Sequence, residues 1–364
     1  MNLSYPQCQN YILIIAPTSR PHCPNPRNAV QSRIEGGRMT SRIPIAAAIA
    51  ALVLVALAGS VHAGPYRAPR TAFGQPDLQG LWTAASLTEL ERDSAKDPLT
   101  FATPAQEAAF EAAAMAANAK GEAGGLGQGV SEWHPAYRMA RLDGKLRTSW
   151  ITSPADGQLP YRPEALKRFN AIAAAARGGT PAANPEDRTP ADRCLVGGLG
   201  SANPPMVNPP VAAGKQIVQT GAEVAILSEM NHDLRIVRLG TPGHPAQHPP
   251  ANVRVWMGDS IGHWQGDTLV VETTNFHPDE GWRGYYMVSP DARVTERFTR
   301  TARHEIRYAF EVDDPATFTE VWRGEMPLLS DPGPIYEFAC HEGNYSMPLM
   351  LSIARAADAA GAGK

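Results

Sequence analysis

Between His304 and Val312 the chain alternates strictly. Ile306, Tyr308, Phe310 and Val312 fall on one face, and Glu305, Arg307, Ala309 and Glu311 fall on the other. This period of two predicts a strand with one buried and one wet face. Similar runs rich in Val, Ile and Leu predict strands at Gln216–Gln219, Glu223–Ser228, Leu234–Leu239, Ile261–Gln265, Thr268–Asn275, Val294–Thr301 and Phe318–Glu325. Arg254–Trp256 and Ile335–Cys340 are further candidates. Turn residues separate several of these runs: Thr220-Gly221, Gly266-Asp267 and Asp313-Asp314-Pro315. No helical pattern intervenes after Lys215. The expectation is a mainly β protein, an antiparallel meander that closes into a barrel or folds as a sandwich.

Upstream the pattern is helical and irregular. Thr103-Pro104-Ala105-Gln106-Glu107 is a helix start, with Thr as N-cap and Pro in the first turn; an alanine-rich run carries that helix to Lys120. A second helix is predicted over Pro163–Arg177, stopped by Gly178-Gly179. Arg147–Ile151 reads as a short strand, followed by a turn at Ser153-Pro154-Ala155-Asp156-Gly157. Residues 64–82 read as an extended arm and residues 178–214 as a wrapping loop rich in Pro, Gly and Asn. Residues 64–214 are thus an N-terminal extension containing two helices. It is expected to pack as one unit with a β domain at 215–364.

The first 63 residues read differently. Met1–Arg38 has no sustained periodicity. From Met39 a short basic segment, an apolar run from Ile43 to about Leu57 and Val61-His62-Ala63 form a signal peptide, with cleavage expected after Ala63. Glu35-Gly36-Gly37 is encoded GAR-GGN-GGN, a purine-rich run suited to a ribosome-binding site. Translation is therefore expected to start at Met39, leaving 1–38 untranslated. These features predict a periplasmic or secreted bacterial protein with no permanent membrane anchor. Removing residues 1–63 leaves 28 basic and 35 acidic residues and two cysteines, Cys194 and Cys340. The acidic balance argues against a nucleic-acid partner. In an oxidising compartment, Cys194 and Cys340 are a natural disulfide.

Four segments carry a resemblance: Gly74-Gln75-Pro76-Asp77-Leu78-Gln79-Gly80-Leu81-Trp82; Trp256-Met257-Gly258-Asp259-Ser260; the run from Gly262-His263-Trp264-Gln265-Gly266-Asp267 to Thr274-Asn275-Phe276; and Cys340-His341-Glu342-Gly343-Asn344-Tyr345. Together they resemble a large family of uncharacterised secreted proteins of environmental bacteria, over about Gly74 to Arg355. The resemblance implies export and a single β-rich domain with an N-terminal extension. It brings no activity with it.

Candidate chemistry therefore comes from the residues alone. Gly258-Asp259-Ser260-Ile261-Gly262 matches the nucleophile-elbow pattern, but a hairpin-like run follows where a helix is required, so Ser260 reads as structural. Glu229, His232 and Arg235 sit between two apolar strands. A turn at Met230-Asn231 would oppose Glu229 and His232 as an acid–base pair, while the plainer reading is a salt-bridged strand end. His244 and His248 lie among prolines and read as a solvated loop. His341 and Glu342 follow Cys340 and would be held by its disulfide. Glu229, His232, His263 and His341 are the candidate catalytic set. Trp256, Trp264, Arg235, Asn275 and Glu342 are candidate substrate contacts. No nucleotide or metal motif is present, and no cofactor is predicted; a single divalent metal on His232, His263, His341 and a carboxylate stays open. The expected function is accommodation of a small, partly apolar molecule, with acid–base chemistry such as hydrolysis, elimination or isomerisation. The alternative is a non-catalytic envelope ligand-binding protein.

Overall fold

The structure, a computed structural model, describes residues 66–93, 97–119, 138–178, 184–197, 202–207, 214–241, 243–281 and 283–362. The leader and signal peptide expected at 1–63 lie outside them. The described residues form twelve strands: β1 (Gly80–Thr83), β2 (Arg141–Leu142), β3 (Lys145–Leu146), β4 (Ile151–Ser153), β5 (Gly214–Gln219), β6 (Glu223–Ser228), β7 (Leu234–Leu239), β8 (Asp259–Gln265), β9 (Thr268–Thr274), β10 (Arg293–Ala302), β11 (Glu305–Asp313) and β12 (Trp322–Ser330). The helices are α1 (Pro104–Ala119), α2 (Pro163–Gly178) and α3 (Ser346–Ala362).

Strands β1 and β5 to β12 follow one another round a closed barrel, sealed where β1 pairs with β12. The short β4 lies on the other stretch of the same β12 edge, so neither end of that strand is left bare. The expected barrel or sandwich is therefore a barrel. The stretch read as an extended arm supplies its closing strand, with Trp82 turned inward and buried.

Three expectations change. The meander is not antiparallel throughout: β7 and β8 run parallel, pairing Val237 with Ser260 and Leu239 with Gly262. Parallel neighbours need a crossover of a dozen or more residues, and the proline-rich segment 240–258 provides it. Within that segment Arg254–Trp256 makes a single bridge, Val255 to Phe276, in place of a strand. Ile335–Cys340 forms no strand, and β12 starts at Trp322 because Phe318 is held in a turn, its N–H donating to the Asp314 carbonyl at 2.8 Å. The third change is α3, which the sequence reading did not anticipate. Asn344 opens it, its side chain accepting the Ser346 N–H at 3.2 Å.

Alternation sorts the lumen into two halves. At one end sit Leu239, Leu269, Phe298, Ile306 and Leu328, all buried. The arm before β1 plugs this end. The Leu78 N–H donates to Gln219 Oε1 at 2.5 Å, Gln219 Nε2 donates to the Pro76 carbonyl at 3.0 Å, and Arg300 Nη1 donates to the Asp77 carbonyl at 2.8 Å. The opposite end holds charged side chains. Beside it the predicted disulfide links Cys194 to Cys340, fastening the loop after α2 to the chain beyond β12.

Candidate functional site

The register assembles the charged end of the lumen. Lys215 is the first inward residue of β5 and stands opposite Ser228, with Nζ donating to Ser228 Oγ at 2.9 Å. It is fully buried. Loss of solvation pulls its ammonium down to about 7, against the attraction of Asp233 and Glu229. On β7, Arg235 points inward and donates two hydrogen bonds to Glu296 of β10, at 2.5 and 3.0 Å. The Tyr308 hydroxyl donates to the same carboxylate at 2.7 Å and accepts the Met206 N–H at 2.8 Å. Burial, then the neighbouring Glu296 charge, pushes the Tyr308 phenol up. This network ties segment 202–207 over the barrel end.

A second buried pair adjoins it. Arg283 lies over the Phe276 ring, 4.7 Å from its centroid, and its Nη2 is 3.7 Å from Glu280 Oε1. Glu280 Oε2 accepts the Met257 N–H at 2.7 Å, and Arg283 Nη1 donates to the Pro204 carbonyl. Among the described residues, Arg283 Nε and Nη2 and Glu280 Oε1 are buried polar atoms with no hydrogen-bond partner. Burial raises Glu280, and Asp233 adds to the effect against the pull of Arg283. Burial likewise raises Asp233, whose oxygens accept from Asn231 Nδ2 at 3.0 Å and the Gly197 N–H at 2.9 Å. Asp233 interacts with both Lys215 and Glu280, so the two halves form one electrostatic cluster.

The predicted site residues divide into three places. Glu229 and His232 stay together on the rim of the charged end, joined by the turn Met230–His232. The Glu229 carboxylate folds back over β5, so that a Cβ on Gly214 would lie 2.6 Å from Glu229 Oε2 and push the carboxylate aside. Burial raises Glu229, with Lys215 opposing. His232 is exposed, and its Nδ1 accepts the Phe338 N–H at 2.9 Å, which places the ring proton on Nε2. The exposed His341 and Glu342 follow on the same segment beyond Phe338. Arg235 is the salt-bridged member of the group, at the start of β7, with its partner Glu296 and itself buried in the lumen.

His263 lies elsewhere. Because β8 runs parallel to β7, the end of β8 that carries His263 is remote from the start of β7 and His232. His263 is exposed on the barrel's outer face and lines a groove of about 470 Å³ with Trp264 and Glu272. The histidines of the metal reading do not converge, and among the described residues no group of three or more His, Cys, Asp or Glu is placed to hold a metal ion.

Trp256, Asn275 and His248 organise the crossover. Trp256 stacks on His277 with ring centroids 4.0 Å apart, and Asn275 Nδ2 donates to the Pro249 and Pro250 carbonyls at 3.1 and 3.3 Å. His248 is half-buried and held between two carboxylates rather than loose in a solvated loop. Its Nδ1 is 2.6 Å from Asp259 Oδ2 and its Nε2 is 3.3 Å from Glu272 Oε1, with Arg238 and Arg293 neutralising the two carboxylates. Ser260 sits inside β8, buried, its hydroxyl 2.9 Å from that of Thr273. No strand-to-helix turn surrounds it.

The residues that sequence reasoning missed are Lys215, Asp233, Glu280, Arg283 and Glu296. Two carried a signal. Lys215 shares a strand face with Ile217, and Glu296 sits between Val294 and Phe298 on another, so alternation already turned both charges inward. No known protein family, curated protein or solved structure matches the chain.

Proposed function

We propose that the chain is an exported barrel protein that takes a small, partly apolar molecule at the charged end of its lumen and exchanges protons with it. One observation carries this reading: Lys215, Asp233, Glu280, Arg283, Arg235 and Glu296 are all buried, joined by the Arg235–Glu296 and Arg283–Glu280 pairs and by the electrostatic reach of Asp233, with Phe276 and Tyr286 against Arg283 and Trp82 opposite Lys215. Burying six ionisable groups costs several kcal/mol each unless they are well paired, and such clusters concentrate at functional sites. Arg283 offers N–H donors to a ligand oxygen, and Glu280 offers an acceptor. Lys215 and Asp233 supply a base and an acid whose proton affinities are drawn toward neutrality, which suits elimination or isomerisation. The disulfide fits an oxidising compartment.

The second reading is a non-catalytic envelope binder. The separation of His263 from His232 favours it over histidine-based catalysis. Both readings are tested together in deuterium oxide, with a panel of small aromatic ketones, aldehydes and hydroxy acids. A compound that raises the melting temperature and gains deuterium beside its carbonyl supports an enzyme, and Lys215→Met should abolish the gain. Stabilisation without exchange supports the binder. If no compound stabilises the protein, the lumen site is wrong.

A further inference from the structure

Lys215 has more chemistry available than proton exchange. It is a primary amine enclosed in the barrel wall, opposite Ser228 and next to Trp82 on β1. Two carboxyl groups act on it electrostatically: the buried Asp233, and Glu229, folded over the strand end at the adjoining Gly214. Enzymes that condense an amine with a carbonyl need this arrangement: a desolvated amine to attack, and an adjacent acid to protonate the hydroxyl that leaves.

We propose that Lys215 is a carbonyl-capturing nucleophile, and that the substrate class of the lumen site is small aldehydes or ketones with an apolar substituent. The inference rests on the lumen reading of the preceding subsection and adds a covalent step to it. The Nζ lone pair attacks the carbonyl carbon, and the carbonyl oxygen takes up the displaced amine proton to give a carbinolamine. Glu229 or Asp233 protonates that hydroxyl, the C–O bond breaks, and one water leaves with the oxygen. The product is a protonated imine on Nζ. Its electron-withdrawing C=N bond then favours removal of a proton from the adjacent carbon by the carboxylate just formed. Adding water back across the imine returns the free amine, so no oxidant or reductant is consumed.

The low proton affinity of Lys215, drawn to about 7 by burial, keeps much of the amine unprotonated at neutral pH, whereas exposed lysines are almost wholly charged. Asp233 and Glu229 oppose that shift, and Arg235 adds to it. The chain has only six lysines, and Lys145 and Lys167 are exposed internal standards.

The test incubates the intact protein with propanal and cyanoborohydride at pH 7, followed by peptide mapping. The expected result is N-propyl label on Lys215 about tenfold faster than on Lys145 or Lys167. Between pH 6 and 9 the Lys215 rate should level off while theirs keeps rising. Label on Lys215 no faster than on the two standards overturns the proposal. If deuterium exchange persists without that label, the covalent step is wrong and the proton-exchange reading stands. If Lys215 is labelled without exchange, carbonyl capture stands and the catalytic reading falls.

Discussion

Arg235 and Glu296 are 61 residues apart in sequence and meet inside the barrel through two hydrogen bonds, with the Tyr308 hydroxyl completing the carboxylate's shell. Both side chains are essentially inaccessible to water. Arg235→Met should therefore cost about 3–5 kcal/mol, because it strands a buried carboxylate. The double variant Arg235→Met, Glu296→Leu should recover most of that loss. Urea denaturation of the three proteins measures both values. A single variant no less stable than the double one would contradict the pairing.

Lys215 gives stability a pH dependence of definite sign. Its folded value of about 7 lies below a lysine's ordinary 10.5, so between the two the unfolded chain binds more protons. Stability should then rise with pH from about 7 toward 10.5, by at most roughly 5 kcal/mol. Asp233 and Glu280 are raised and act in the opposite sense, losing stability as pH climbs above their ordinary range. Lys215→Met isolates the lysine: the stability of the variant relative to wild type should fall as pH goes from 6 to 10. Equal denaturation midpoints for the variant pair at every pH would refute the shift.

Breaking the Cys194–Cys340 link reopens a span of 146 residues, worth about 5 kcal/mol in the chain-entropy model as an upper figure. Cys194 and Cys340 should resist alkylation in denaturant until reductant is added, and reduction should lower the melting temperature. Prompt alkylation of both without reductant would contradict the bond.

Gly324 of β12 faces the lumen where Phe310 presses on it. A Cβ there would lie 2.3 Å from Phe310 Cζ and 2.9 Å from the Trp150 carbonyl oxygen. Gly324→Ala should cost about 1–3 kcal/mol through overpacking. Gly221→Ala, whose Cβ would meet the nearest atom, on the exposed Phe73 ring, at 3.2 Å, is the milder comparison. Calorimetry ranks the two, and an equal loss would discount the packing argument.

The strands of this barrel were readable because their faces differ. β11 wears its alternation openly, and Gly266-Asp267 marks the β8–β9 hairpin. Partner choice was not readable: nothing in Leu234–Leu239 or Asp259–Gln265 states that the two run the same way. That one direction sends His263 to the far end of the barrel from His232, which dissolved the histidine cluster. The lumen charges were half legible. Alternation turns Lys215 and Glu296 inward, but local pattern cannot say that Arg235 waits there, because the partners come from distant strands. His248 misled for a similar reason. Its prolines forbid a helix, yet Asp259 and Glu272 reach it from strands that its own segment does not contain.

The joint between β7 and β8 has a consequence of parity. In a closed ring whose neighbours all point in opposite directions, the members must be even in number. Nine strands form this ring, so at least one adjacent pair has to agree in direction, and only β7 and β8 do. Segment 240–258 is therefore an arithmetic requirement of the ring rather than an ornament on it. Replacing it with a tight turn would reverse β8 and every strand after it, and β12 would then arrive at β1 pointing the wrong way. The proline-rich loop, with His248 pinned between its two carboxylates, is what lets an odd barrel close.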